Sequence, residues 1–155
     1  MSFELIHSDL QLFETESYYK YKYAIIYYDD YTSMAWVVCL RSKDQAFTAT
    51  TQFVSYVQTQ YNTLIKGWRS DAVSEFMSKA FRDYLKDNRI HIHQSAPYAH
   101  QQNGCAEQLI HIHMDKAQAI HLHTCLPDSY WEFMILHMAH SYNIIGFKAC
   151  LHKTN

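Results

Sequence analysis

Glycine and proline are scarce, with 3 Gly and 2 Pro in 155 residues. That is too few for a linker-rich or many-jointed chain. Disulfide and zinc-knuckle patterns are missing as well. Cys39, Cys105, Cys125 and Cys150 are scattered, form no CxxC pair, and read as free thiols. Long apolar runs are also lacking. A run such as Met34 to Leu40 falls far short of the roughly 20 residues that span a bilayer, so no membrane segment is expected. The opening Met1-Ser2-Phe3-Glu4-Leu5 has no basic stretch and no apolar core of a leader, so an intracellular, nuclear or cytoplasmic setting is expected. Positive charge is not in excess: the net charge is −2 with His neutral, whereas a nucleic-acid binder ordinarily carries a basic face.

What is present is a globular composition, 48% hydrophobic and 18% charged, long enough for one domain with its own core. Thirteen Tyr and eight Phe point to strands as well as helices. Eleven His include three spaced pairs, His91/His93, His111/His113 and His121/His123. Residues i and i+2 share a face on a strand but diverge on a helix, so only His91 and His93 have chelating geometry. No third ligand has metal-site spacing, and surface or half-buried histidine is the plainer reading.

The hydrophobic pattern predicts strands at Leu5 to Leu10, Tyr21 to Tyr28, Met34 to Leu40, Thr63 to Trp68 and Ile90 to His93. Turn chemistry at Asp29-Asp30-Tyr31-Thr32-Ser33 makes residues 21–40 an antiparallel hairpin. Helical spacing covers Asp44 to Tyr61, with Ser42 or Asp44 as N-cap. It covers Ser74 to Lys86, Gly104 to His123 and Pro127 to Ile145 as well. The order β-β-β-α-β-α-β-α-α implies an α/β fold, a mixed five-stranded sheet flanked by helices. In such sheets sites gather at strand ends near a switch of strand order.

Three acidic residues stand at informative places: Asp9 in the first strand, Asp71 just after the fourth, and Glu107 near the start of the long helix. Singly, Asp71 reads as a helix cap and Glu107 as a first-turn charge. Asp29 and Asp30 read as hairpin-turn residues. Glu75, one helical turn beyond Asp71, reads as an ordinary first-turn acid or a supporting one.

Their surroundings carry more. Ser95-Ala96-Pro97-Tyr98-Ala99-His100-Gln101-Gln102-Asn103-Gly104-Cys105-Ala106-Glu107 resembles the Ala-Pro-Tyr-x-x-Gln-Gln-Asn-Gly-x-Ala-Glu run of copia-type retrotransposon integrases. His7-Ser8-Asp9-Leu10 resembles the first catalytic motif of that family, and Arg69-Ser70-Asp71 with Glu75-Phe76 resembles its second. Tyr28-Asp29-Asp30-Tyr31-Thr32 and Pro127-Asp128-Ser129-Tyr130-Trp131 are similar to its hairpin turn and to the start of its last core helix. The likeness runs in order along nearly the whole chain. It implies an RNase H-like catalytic core over 1–146 with a short tail over 147–155. It further implies divalent metal, Mg²⁺ or Mn²⁺, on Asp9, Asp71 and Glu107, with two ions in the DNA complex. The implied reaction is end processing and strand transfer of element DNA into target DNA, by a homo-oligomer.

The chain departs from that pattern where Asn-Gly-Gly is replaced by Ala72-Val73-Ser74, where Gly-Pro is replaced by Gln11-Leu12, and where basic residues give way to Gln108-Leu109-Ile110-His111. Cytosine deamination turns CG-type arginine codons into Gln, His, Cys or Trp codons, so we hypothesise a mutationally decayed copy. Genomic relatives without an excess of such transitions would remove that idea. Two readings therefore stand side by side, an active metal-dependent polynucleotidyl transferase core and an inactive remnant that binds nucleic acid or protein. A histidine-based zinc protein is a third, weaker one.

Overall fold

The computed structural model describes residues 2–70, 78–93, 112 and 114–145. Three sequential strands, β1 (Leu5–Leu12), β2 (Tyr23–Asp29) and β3 (Ala35–Leu40), form an antiparallel meander. β4 (Gly67–Ser70) pairs parallel with β1, and β5 (His91–Ile92) pairs parallel with β4, giving the sheet order β3-β2-β1-β4-β5. The register sets Asp9 opposite Ile26 and Ser8 opposite Ser70. The expected mixed five-stranded sheet is thus the observed one.

Alternation along β1 sends Ile6, Ser8 and Leu10 to one face and His7, Asp9 and Gln11 to the other. The first face is covered by α1 (Gln45–Tyr61) and α2 (Lys79–Asp87). Helix α1 buries Ala46, Ala49, Thr50, Phe53, Val54 and Val57, a stripe at helical spacing. Trp68, fully buried, meets Tyr27, Phe53 and Phe81 edge-on, while Tyr27 and Phe53 stack at 4.1 Å. Two polar handles are satisfied inside this core. The Trp68 indole N–H donates to Ser8 Oγ at 2.9 Å, and the Tyr27 and Thr50 hydroxyls meet at 3.0 Å.

The opposite face receives a helix described over 114–124, here α3, and α4 (Trp131–Ile145). Trp131 and Ile135 pack on Ala24 and Ile26, flanked by Val37, Cys39 and Met114. Phe13 stacks on Trp131 at 3.7 Å, and the Trp131 indole N–H donates to the Thr15 carbonyl. Buried Glu132 accepts from Ser17 Oγ at 2.5 Å and from the Tyr19 N–H at 3.2 Å. The long β1–β2 connection is thereby tied to the start of α4.

Some boundaries differ from expectation for local reasons. The strand predicted from Thr63 begins only at Gly67. The ladder with β1 starts at Leu5 opposite Gly67; just before it the Lys66 N–H donates to the Phe3 carbonyl at 3.1 Å and the Lys66 carbonyl accepts from the His91 N–H at 2.7 Å. Asp44 occupies the N-cap position of α1 in helical geometry without a side-chain cap bond. Ser42 contributes its carbonyl rather than its hydroxyl, accepting from the Gln45 N–H. The described part of α2 starts behind a Ser78 cap that accepts from the Phe81 N–H at 3.2 Å; residues 74–77 of the predicted helix lie outside the described residues. After Pro127 a 3₁₀ turn, Asp128–Tyr130, precedes α4. Among the described residues no helix is long and apolar enough to cross a membrane.

Candidate active site

Asp9 sits in the central strand β1, half-buried, on the face that α3 and α4 cover. One of its carboxylate oxygens accepts a hydrogen bond from the side-chain amide of Gln11, two residues along the same face. An ionised carboxylate offers about four lone-pair directions, so this bond engages one and leaves the others open.

Asp71 and Glu107 lie outside the described residues, as do Glu75, the Ala72–Ser74 run and Gln108. What is described is the frame that leads to the first of them. Ser70 ends β4 and stands in register with Ser8; each serine immediately precedes one of the two aspartates in the chain. Among the described residues no group of three His, Cys, Asp or Glu side chains converges as a metal site.

Beside Asp9 on the same face lies a polar cluster. His7 pairs in register with Tyr28 and Arg69. Its ring is buried, and its Nε2 lies 3.4 Å from Asp30 Oδ1, long for a hydrogen bond. Among the described residues the Arg69 Nε–H is buried without a hydrogen-bond partner. Burial pushes the Tyr28 phenol above its ordinary pKa.

Asp29 is fully buried and spent on structure. It accepts from the Phe3 N–H at 2.8 Å, the Thr32 N–H at 3.0 Å and the Thr32 hydroxyl at 2.6 Å. The hairpin-turn reading of this residue holds. His91 and His93 are both exposed. The His93 ring rests on Gly67, where an added Cβ would come within 2.8 Å of its Nε2. His121 closes the α3–α4 connection, with Nε2 2.7 Å from the Leu126 carbonyl and 3.2 Å from Asp128. His111 and His113 lie outside the described residues.

Comparison with known proteins places this geometry. The chain is 30% identical over 129 residues to the retrovirus-related Pol polyprotein from transposon TNT 1-94 of Nicotiana tabacum, covering 83% of this chain and 10% of that protein. It is 28% identical over 130 residues to the corresponding polyprotein from transposon RE2 of Arabidopsis thaliana, covering 84% and 9%. The chain is homologous to a segment of retrotransposon Pol polyproteins. It spans about a tenth of the length of these curated relatives. No protein-family model matches it. Among solved structures, the HTLV-2 integrase catalytic core domain in complex with magnesium, in its dimeric form, superposes with a TM-score of 0.63 at 15% identity, covering 91% of this chain and 86% of that one. The fold is therefore the RNase H-like fold of a retroviral integrase core.

Two features of the site's surroundings were not legible in the sequence. The amide of Gln11 on Asp9 was hidden because Gln11 registered only as a departure from Gly-Pro. A basic groove beside α2 was hidden by the net charge, although the spacing of Arg82 and Lys86, four residues apart, was there to find it.

Proposed function

We propose that this chain is the catalytic core of a copia-type retrotransposon integrase, performing metal-dependent polynucleotidyl transfer on DNA. Asp9, Asp71 and Glu107 are its metal-holding carboxylates. The observation that most supports this reading is the parallel register Ser8 with Ser70. It sets the residue before Asp9 beside the residue before Asp71, within a fold shared with an integrase core solved with magnesium.

The donor chemistry fits the metal. Three carboxylates form an all-oxygen set suited to a hard cation, Mg²⁺ or Mn²⁺, and unsuited to a zinc site of nitrogen and sulfur. Bound there, divalent metal supplies charge neutralisation at a phosphodiester and a more acidic attacking hydroxyl or water. The rest is the protein's work. β1 holds Asp9 on a rigid strand, β4 ends one residue before Asp71, and the Trp68–Ser8 bond fixes β1 from beneath. Such positioning is the larger part of catalysis where no side-chain nucleophile takes part. The partners proposed are element ends, target DNA and further copies of the chain. The HTLV-2 core that it resembles was solved as a dimer.

A second reading, an inactive RNase H-like remnant acting as a nucleic-acid or protein binding module, is favoured by one observation. Gln11 already occupies part of the Asp9 carboxylate. Calorimetric titration of Mg²⁺ and Mn²⁺ into the native chain and into Asp71→Asn, with a DNA nicking assay alongside, separates the two. The enzyme reading expects binding in the native chain that the variant loses. Equal binding in both would remove the assigned site, and no binding in either would move the remnant to the front.

A further inference from the structure

The chain's net charge is −2, yet its exposed cations are not evenly spread. Lys79, Arg82, Lys86 and Arg89 are all exposed and fall on or just beyond α2. Three of them, Arg82, Lys86 and Arg89, line a groove of about 620 Å³ together with Asp83, Ile90, His91 and Ile92. Three cations face one carboxylate there. Among the described residues none of the three is held in an ion pair. The groove opens at the edge of the sheet, because β5 has β4 as its single neighbour.

Arg89 carries a second, independent observation. Helix α2 ends in a Schellman arrangement. The Arg89 N–H donates to the Lys86 carbonyl at 3.0 Å and the Ile90 N–H to the Leu85 carbonyl at 2.8 Å, while Ile90 and Leu85 are buried. Arg89 fills the left-handed position, with φ 57°. Glycine is the residue suited to that site, and a side chain there is disfavoured. Arginine is thus retained at a position that suits glycine, and its side chain lines a groove that holds two more cations.

We propose that the groove between α2 and β5 binds the phosphate backbone of duplex DNA. The spacing fits. Four residues of helix advance about 6 Å, comparable to the through-space separation of neighbouring phosphates on one strand, which exceeds their axial rise of about 3.4 Å because the backbone winds around the duplex. Arginine adds a planar, bidentate fork for phosphate. Among the described residues no Phe, Tyr or Trp lines the groove, and His91 is its one ring; the row of aromatic platforms that holds single strands is missing, and a duplex is the better ligand. The groove lies two strands from β1, and its His91 is level with Gly67 and Leu5, four residues short of Asp9; strand spacing and rise together put it roughly 16 Å from Asp9, on the side of the sheet that α2 covers. That is well within one turn of B-DNA, about 34 Å. The choice of DNA as ligand rests on the integrase reading; the groove and its charge do not.

The test is fluorescence anisotropy of a labelled duplex of arbitrary sequence with the full chain, in EDTA, across 50 to 200 mM salt. Three phosphate contacts give a log–log salt slope of about −2.7, a loss of affinity of about 40-fold over that range. The triple variant Arg82→Gln/Lys86→Gln/Arg89→Gln should lose most of this binding. Lys79→Gln, on the same helix but outside the groove, should keep it. Arg89→Gly is the sharper variant. It should melt at a higher temperature than the native chain while its salt slope shrinks by about one. That combination cannot come from a damaged fold, and it keeps the test valid should the triple variant unfold. Undiminished binding in Arg89→Gly and the triple variant, no duplex binding at 50 mM salt, or tighter binding of poly-glutamate than of DNA would each overturn the inference. Binding in EDTA that behaves as expected, beside a native chain that neither binds metal nor nicks DNA, would leave the groove standing and remove the integrase activity instead.

Discussion

Gln11 donates its side-chain amide to the carboxylate of Asp9, two residues away on the same face of β1. In the copia-type pattern that the chain resembles, Gly-Pro follows the first catalytic motif, and neither residue has a side-chain donor. Here the strand carries its own competitor for the carboxylate that is proposed to hold metal. A hydrogen bond to a charged group contributes about 1.5–3 kcal/mol when undisturbed, and less where water competes, as it does at half-buried Asp9.

Gln11→Ala should therefore tighten Mn²⁺ binding by about threefold to tenfold, the effect of about 1 kcal/mol. Calorimetry on the native chain and the variant checks this. An unchanged affinity would mean that the amide swings away without cost when metal enters.

Asp29 gives the opposite expectation. Its carboxylate accepts three bonds that close the β2–β3 turn and hold the chain at Phe3. Asp29→Ala leaves the buried Phe3 N–H without an acceptor and frees the β2–β3 turn, and should destabilise the fold by about 3 kcal/mol, read from urea denaturation. Metal affinity of the folded variant should be unchanged. A variant that kept its stability but lost metal would make Asp29 a ligand and overturn the turn assignment.

The sheet was legible because β1 to β3 are rich in β-branched and aromatic residues and are separated by turn residues at Asp29 to Ser33. The mixed order was legible because helices interleave the later strands. The start of β4 was not, since Thr63 to Lys66 are as strand-like as their neighbours, and only the register with β1, which begins at Leu5 opposite Gly67, sets the boundary. For the site, motif likeness placed Asp9 on its strand, and the fold agrees. Asp71 and Glu107 lie outside the described residues; the register of Ser8 with Ser70 bears on the approach to Asp71 alone. Side-chain competition at Asp9 could not be read, because it depends on two residues sharing a face and a rotamer. The basic groove escaped because whole-chain charge averages over surfaces that folding separates.

Ser8 links the core to the candidate site. Its hydroxyl accepts from the buried Trp68 indole at 2.9 Å, and its backbone stands beside Ser70. Ser8→Ala leaves a buried N–H without an acceptor and should cost about 1–3 kcal/mol. Trp68→Ala removes the ring that Tyr27, Phe53 and Phe81 surround and should cost about 3–5 kcal/mol. Because they share one bond, the double variant should lose less than the sum of the two. Full additivity in a double-mutant cycle by thermal or urea melting would show that the bond contributes nothing.

Alkaline pH should loosen the fold through its buried acids. Burial, with the Glu132 carboxylate adding to it, pushes the Cys39 thiol from its ordinary 9.0 up to about 12. Burial raises the Tyr27 and Tyr28 phenols above their ordinary 10.0 in the same way. A raised pKa means that the folded chain keeps its proton after the unfolded chain has lost it. The unfolded state then binds fewer protons, and stability falls as pH rises. For Cys39 the contribution is whole below pH 9 and is lost progressively between about 9 and about 12. The urea midpoint should therefore be flat from pH 7 to 9 and decline above it. In Cys39→Ala the decline should be shallower, so that the stability difference between native chain and variant narrows with rising pH. A difference that stayed constant from pH 7 to 11 would show that the Cys39 thiol titrates equally in the folded and unfolded chain, and that the contact of β3 with α4 around Glu132 is open to water.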